Sequence, residues 1–557
     1  LSQPIRAVLQ QAVALHQAGR LAEAKSLYEQ ILTAQPGQFD SLHFLGVIAL
    51  QTGDTATGVR LIGEAIAINP KAAAAHFNLG NALRALGRPD EAVASYDRAL
   101  ALRPDAETHF NRANALKELR RLDEALAGYD RALALDPDGA AAWYNRGNAL
   151  KELGRPEEAL VSYDRALFLR ADYPDAHNNR GNALRDLKRM EEALASYDRA
   201  LSLRPDDAET HNNRGNALKE LRRLDEAIAS YDRAIALQPD HADSHWNKSV
   251  ALLLKGDFAR GWDLYEWRWK SGKTQKFMRN FPQPLWLGDF PLEGRTILLH
   301  AEQGLGDSIQ FCRYAPLVRE RGAKKVLLMV PRPLLRLLDG LDGVSELVEK
   351  REPWPTGFDC HCPLLSLPLA FGTRLETIPG SAPYLKADPQ RVAAWQATLG
   401  PRTKPRVGIV WSSTSLFESD ATRSMEFSRF IQGIPPGRFD VVCLQKEIKA
   451  RDREDVRAQG EVRFFGERLT DFAETAALAS CMDVVVSTCT SVPHLTAALG
   501  IPTWILLAHV PDWRWLLDRD DSPWYDAATL YRQGDDRRWE TVLERVAADL
   551  LKLGAAG

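Results

Sequence analysis

The stretch N-R-G-N-A-L-K-E-L-G-R-P-E-E-A-L-V-S-Y-D-R-A-L, residues 145–167, decides the architecture of the first half of this chain, because it keeps returning. Its glycine, Gly147, has counterparts at Gly46, Gly80, Ala113, Gly181, Gly215 and Ser249, each step being 34 residues except one of 33. Prolines end most units (Pro36, Pro70, Pro104, Pro137, Pro205 and Pro239), and Ala171 stands in once. Small residues on this beat mark the places where paired helices approach closely. A two-helix unit cannot bury its apolar face alone, so the units stack into a superhelix with a long concave groove, a shape suited to holding another chain.

A 34-residue unit of two helices is that of the tetratricopeptide repeat (TPR). The reading gives a TPR superhelix over residues 1–272, with some seven complete units and a divergent eighth. Tyr96, Tyr129, Tyr163, Tyr197 and Tyr231 keep the same beat and are expected to wedge between successive helices. The eighth unit ends in Trp262, Tyr265, Trp267 and Trp269. That crowd of rings reads either as a joint to the next domain or as an apolar cap on the last repeat.

At 557 residues the chain has room for about three or four domains. Its 45% hydrophobic and 26% charged residues place it among globular chains. A net charge of −3 gives no reason to expect nucleic acid or an anionic membrane as the main partner. No apolar run approaches the ~18 to 20 residues of a membrane span, and the first residues carry no signal-peptide pattern. The six cysteines (Cys312, Cys360, Cys362, Cys443, Cys481 and Cys489) all come after the repeats without disulfide-framework spacing, so a cytoplasmic setting is expected.

From Pro282 onward short apolar runs alternate with helical patterns: 296–301, 325–330, 406–411, 439–444, 483–488 and 503–507. Such Val-, Ile- and Leu-rich runs between helices read as buried parallel strands. A Pro-rich break at 400–405 divides the region into two Rossmann-like lobes, 282–400 and 401–557, facing a cleft. The last helix, from about Trp539 to Leu551, is expected to cross back onto the first lobe.

Two strand ends carry the chemistry. The run 296–301 leads into Glu302-Gln303-Gly304-Leu305-Gly306-Asp307-Ser308. Gly304 and Gly306 would let backbone N–H groups approach a ligand, and Asp307 reads equally as a general base at the cleft mouth or as a helix cap. In the second lobe Cys489-Thr490-Ser491-Val492-Pro493-His494 opens a helix whose free amides and hydroxyls suit a diphosphate, with His494 as a further contact. Arg423, and Gln445-Lys446 after the next strand, are placed to meet phosphate charge. Cys360-His361-Cys362 has the look of half a metal site, but no second Cys/His pair lies at finger-like spacing, so no metal is expected and His361 is read as lining the cleft.

G-L-G-D-S-I-Q-F-C-R-Y-A-P-L-V (304–318) resembles the acid-bearing loop and helix of lipopolysaccharide heptosyltransferases, glycosyltransferase family nine. S-T-C-T-S-V-P-H-L-T-A-A-L-G-I-P (487–502) resembles that family's nucleotide-sugar loop, and 359–373 with 511–525 extend the likeness. The resemblance implies a GT-B fold, a metal-independent inverting transfer, a nucleotide-sugar donor and no other cofactor. It puts Asp307 in the place of the catalytic base and Arg423 in a phosphate-binding stretch. Two positions depart from the family: Cys489 fills a slot usually held by Asp, and Ser412-Ser413 replace a Gly-Asn pair. A thiol accepts hydrogen bonds from donor hydroxyls poorly, so these changes bear on donor identity and on activity itself.

The repeats carry an echo of their own. Asn78, Asn111, Asn145, Asn179, Asn213 and Asn247 occur once per unit, with Asn81, Asn114, Asn148, Asn182 and Asn216 three residues on. The pattern is similar to the asparagine ladder of eukaryotic O-GlcNAc transferase, which holds peptide backbone, although asparagine is also common here in ordinary TPR units. The expectation is a TPR-guided glycosyltransferase with a protein acceptor, flagellin or another surface protein by family analogy. Two other readings stay open: an interaction scaffold with a degenerate transferase domain, and a glycan or lipopolysaccharide transferase using its repeats for assembly. Homo-oligomerisation is left open as well, since TPR edges often pair.

Overall fold

Helix A and helix B of each repeat can pack only as closely as their smallest facing residues allow, and this sets the geometry of the first half. The computed structural model describes residues 3–272, 275, 278–380, 383–413 and 424–555. The chain divides into two compact units, Leu1–Ala217 and Leu218–Gly557. The first holds six successive helix pairs, from Gln3–Gln17 with Leu21–Ala34 to Pro174–Asp186 with Met190–Leu203. A Cβ built on Gly80, Gly147 or Gly181 would stand 2.5–2.6 Å from the ring of Tyr96, Tyr163 or Tyr197. Each of these tyrosines is fully buried, as their shared beat predicts.

The turn between helices A and B is left-handed in each of these six repeats. Gly19, Gly53, Gly87 and Gly154 supply the positive φ in four of them, while Arg120 (φ 61°) and Lys188 (φ 62°) do so in the other two at some strain. One repeat departs in its packing too. Ala113 takes the glycine slot, and Gly128 stands where its neighbours carry Ser95, Ser162 and Ser196. A Cβ on Gly128 would come within 2.9 Å of the Ala113 Cβ, so the small residue has changed helices.

The second unit opens with the helices Leu224–Leu237, Ala242–Lys255 and Phe258–Tyr265 and a 3-10 turn, Glu266–Trp269. Two sheets come next. The first has the order β3-β2-β1-β4 and is parallel throughout, with β1 Thr296–His300, β2 Lys325–Val330, β3 Glu346–Glu349 and β4 Cys360–Pro363. The second has the order β10-β11-β9-β8-β5-β6-β7. Its strands are β5 Arg406–Val410, β6 Asp440–Cys443, β7 Val462–Phe464, β8 Val484–Thr488, β9 Thr503–Leu507, β10 Asp521–Ser522 and β11 Tyr525–Arg532. All are parallel except β10. All six apolar runs of the sequence are strands, because a strand covered on both faces must be apolar on both. β3, β4, β7, β10 and β11 are shorter or more polar, and Cys360-His361-Cys362 belongs to the edge strand β4.

Two placements differ from expectation. The terminal helix Trp539–Ala555 does not cross to the first sheet: Val542, Leu543, Val546 and Leu550 pack with Val407 and Ile409 of the second and with Phe430 beside it. Gly433 lets it settle there, since a Cβ on that residue would lie 2.8 Å from Leu543 Cδ2. The helix Pro389–Leu399, read as the end of the first lobe, likewise buries Trp395 and Leu399 against Val410, Val442 and Val485.

The aromatic run of the eighth repeat is a joint. Trp262 donates its indole N–H to Thr373 O at 2.9 Å and meets Trp513 edge-on at 5.2 Å. Beside it the fully buried Arg268 grips the equally buried Glu302 through two hydrogen bonds, both of 3.0 Å. Arg268 also donates to Glu266 (2.6 Å) and Ser366 (2.7 Å), and Leu365 N–H donates to Glu302.

Gly128→Ser should destabilise the repeats by about 1–3 kcal/mol through overpacking. Adding Ala113→Gly should restore most of the loss, read by denaturant unfolding of the full chain. Arg268→Met strands a buried carboxylate and should cost about 3–5 kcal/mol. Arg268→Met with Glu302→Gln should recover much of it, because the amide still accepts from Leu365.

Candidate active site

The loop after β1 and the loop after β8 meet. Gly306 lies so close to the helix Ser491–Ala498 that a Cβ would stand 2.9 Å from His494 Cδ2 and 3.4 Å from Ser491 Cα. Gly304 caps the helix Leu305–Phe311, and its N–H donates to Asp307 Oδ2 at 2.9 Å. Asp307 therefore does cap the helix, from its third position, while its side chain stays 20% exposed. The other oxygen, Oδ1, accepts from Arg514 Nη2 at 2.6 Å. Arg514 is held in turn by Asp512 (2.8 Å) and Gln310 (2.7 Å), and its guanidinium lies 4.4 Å over the Trp513 ring. Trp513 is the ring against Trp262, so the joint with the last repeat reaches the acid through one arginine.

The residues of the second loop are largely enclosed. Thr490 caps its helix by accepting from Val492 N–H at 3.3 Å, and Ser491 is half-buried. His494 is buried, its Nδ1 3.0 Å from the Tyr525 hydroxyl and its ring stacked on Trp515 at 5.2 Å. Cys489 is buried too, and its sulfur accepts from Trp515 Nε1 at 3.1 Å. His494 and Cys489 are thus wall rather than open contacts, because two rings from 515–525 cover them.

Gln445 is consumed structurally. Its Oε1 accepts from Trp411 N–H (2.7 Å) and Ser412 N–H (3.1 Å), which ties the end of β5 to the end of β6. Lys446 beside it is exposed. Arg423 lies outside the described residues. His361 does not line the cleft: it is buried, with Nδ1 3.2 Å from His300 Nε2, and both rings lie edge-on to Phe281. Burial pushes the His361 imidazole down to about 4 and that of His300 well below its ordinary value. Among the described residues no group of three or more His, Cys, Asp or Glu could hold a metal ion, and no helix is long and apolar enough to cross a membrane.

The asparagine ladder is partly spent on the repeats themselves. Asn145 Nδ2 donates to Asn114 Oδ1 of the preceding repeat at 2.9 Å, and the same oxygen accepts from the Tyr129 hydroxyl at 2.7 Å. Asn179, Asn148 and Tyr163 repeat the arrangement, and Asn111, Asn81 and Tyr96 do so more loosely. Asn78 bonds His43 and Asn213 bonds Asn178. Asn247 is buried in the second unit. The amide nitrogens of Asn78, Asn111, Asn145, Asn179 and Asn213 thus brace neighbouring repeats.

Residues 113–154, 147–184 and 181–222 match a family model described as TPR repeat; 5–30, 45–107 and 208–241 match models described as tetratricopeptide repeat. The N-terminal part of the chain is a TPR array. Protein FlbA of Caulobacter vibrioides is 27% identical over 341 residues, covering 55% of this chain and 55% of that protein. The chain therefore spans about half the length of that curated relative. Among solved structures, YrrB, a TPR protein with an unusual peptide-binding site, is 26% identical, with a TM-score of 0.30, 33% of this chain covered and 95% of that one. PilF of Pseudomonas aeruginosa is 22% identical, with a TM-score of 0.34 and coverage of 37% and 94%. A tetratricopeptide repeat protein of Parabacteroides merdae is 20% identical, with a TM-score of 0.36 and coverage of 41% and 91%.

The histidine pair has a pH signature. Both rings are neutral when folded, whereas in the unfolded chain each takes up a proton near pH 6.5. Their contribution to stability is complete above about pH 6.5 and declines as the pH falls towards about 4. His361→Phe should flatten the dependence of Tm on pH in that window relative to the unsubstituted protein; equal slopes would remove the assignment.

Proposed function

We propose that this chain is a TPR-guided glycosyltransferase that moves a sugar from a nucleotide donor to a hydroxyl of a protein acceptor. The observation that carries the reading is the meeting of Gly304–Asp307 with the helix start at Ser491, at the ends of strands from two separate sheets. Open α/β sheets bind ligands outside the carboxyl ends of their strands. Two such sheets with a partly exposed acid between them fit the GT-B arrangement implied by the resemblance to family nine.

In the proposed reaction the acceptor oxygen attacks the anomeric carbon as the bond from that carbon to the diphosphate oxygen breaks. Asp307 takes the hydroxyl proton, and the nucleoside diphosphate leaves from the opposite face, inverting the centre. Arg514 and the Gly304 N–H fix the carboxylate so that its remaining lone pairs face the acceptor. Cations on the second sheet balance the charge that develops on the diphosphate. The repeats would present the acceptor chain, with the asparagine carbonyls receiving its backbone N–H groups.

One observation favours a second reading, an interaction scaffold. Cys489, in the slot where the resemblance expects a carboxylate, is closed over by Trp515. The two readings separate on Asp307→Asn. With a panel of UDP-, GDP-, ADP- and CDP-linked sugars and a mixed peptide acceptor, this variant should lose about 100-fold or more of nucleoside diphosphate release while binding the nucleotide as before. Undiminished release by the variant would remove Asp307 from the reaction, and no release by the unsubstituted chain would favour the scaffold.

A further inference from the structure

The second sheet carries a cavity of about 540 Å³, lined by residues that the sequence reading did not single out. Ser424, Glu426, Arg429, Lys449, Arg451 and Trp539 line it. Its place is set by the topology. Ser424 and Glu426 come after β5, joined to it by Met425 N–H donating to Trp411 O at 2.8 Å, and Ser424 Oγ accepts from Ser413 N–H at 3.1 Å. Lys449 and Arg451 come after β6. β5 and β6 are adjacent parallel strands, and the strand order reverses at β5, which has β6 on one side and β8 on the other. The cavity thus lies outside the carboxyl ends of two strands at the point where such sheets take nucleotides.

Its lining is uneven in charge, with three cations against one carboxylate. Arg429 and Arg451 are each about half exposed, and their nearest ion-pair contacts are loose: 3.4 Å to Glu540 and 3.7 Å to Asp452. Asp452 itself is buried and accepts from Trp411 Nε1 at 3.0 Å, so it is committed to the core. Trp539 is half-buried at the start of the terminal helix. By contrast, Cys489 and His494 in the loop to which the resemblance assigns the donor are covered by Trp515 and Tyr525, and Gln445 is used up between strands.

We infer that this cavity binds a nucleoside diphosphate, with Arg429, Lys449 and Arg451 around the two phosphates, Trp539 against the base and Glu426 accepting from ribose hydroxyls. Guanidinium and ammonium groups suit phosphate oxygens, an indole face suits any base, and the volume falls in the range of small-ligand sites. The inference rests on the transferase reading for the identity of the nucleotide as donor product, and it moves the diphosphate from the loop at 489–494 to the ends of β5 and β6.

The test is titration calorimetry on the full chain with UDP, GDP, ADP and CDP, and with inorganic pyrophosphate. One nucleotide should bind. Arg429→Ala with Arg451→Ala should weaken it and pyrophosphate alike by about tenfold or more. Trp539→Ala should weaken the nucleotide by about fivefold or more and spare pyrophosphate. Arg438→Ala, an exposed cation in the loop that precedes β6, should change neither. Circular dichroism verifies that each variant is folded. Nucleotide binding unchanged by all the cavity variants overturns the cavity assignment while leaving the transferase reading in place. Pyrophosphate binding without any nucleotide binding overturns the nucleotide assignment. Silence across the whole panel overturns both this inference and the transferase reading.

Discussion

The buried pair of Arg268 and Glu302 is the contact on which the arrangement of the second unit turns. Two opposite charges with no access to water persist only when their hydrogen-bonding groups are matched, and here Glu266, Ser366 and Leu365 supply the remaining partners. Glu302 stands five residues before Asp307 on the loop leaving β1. Arg268 belongs to the turn that ends the last repeat. A single ion pair therefore ties the end of the last repeat to the loop that carries the acid.

A second line of contacts runs in parallel. Trp262 packs on Trp513, Trp513 lies under Arg514, and Arg514 holds Asp307. Large rings bury much surface where they pack, and the arginine turns that packing into the orientation of a carboxylate. The acid is thus fixed from both sides by groups that the last repeat supports.

The repeats show a comparable economy. The Asn81, Asn114 and Asn148 carbonyls each accept both from the tyrosine of their own repeat and from the asparagine amide of the next. The amide row is therefore first a brace between repeats. The exchange of small residues between Ala113 and Gly128 keeps the same helix spacing by another route.

The repeat beat, the buried tyrosines and the six apolar strands were legible in the sequence because each depends on local periodicity: a helix pair every 34 residues, or a short run that must be apolar on both faces. Glycine at the slot of Gly80 or Gly147 could be read for the same reason. The polar strands β4 and β11 could not, since their order comes from hydrogen bonds to β1 and β9 rather than from their own pattern. Nor could the partners of the candidate site. Arg514 meets Asp307 across 207 residues, Trp515 covers Cys489, and His361 finds His300 from the neighbouring strand. The sequence by itself determined the helix pairs of the repeats and the apolar strands, and which of those strands carry an acid or a cation at their ends. Only the tertiary structure decided which of those groups stay open to a ligand, because burial and pairing are set by residues distant in the chain.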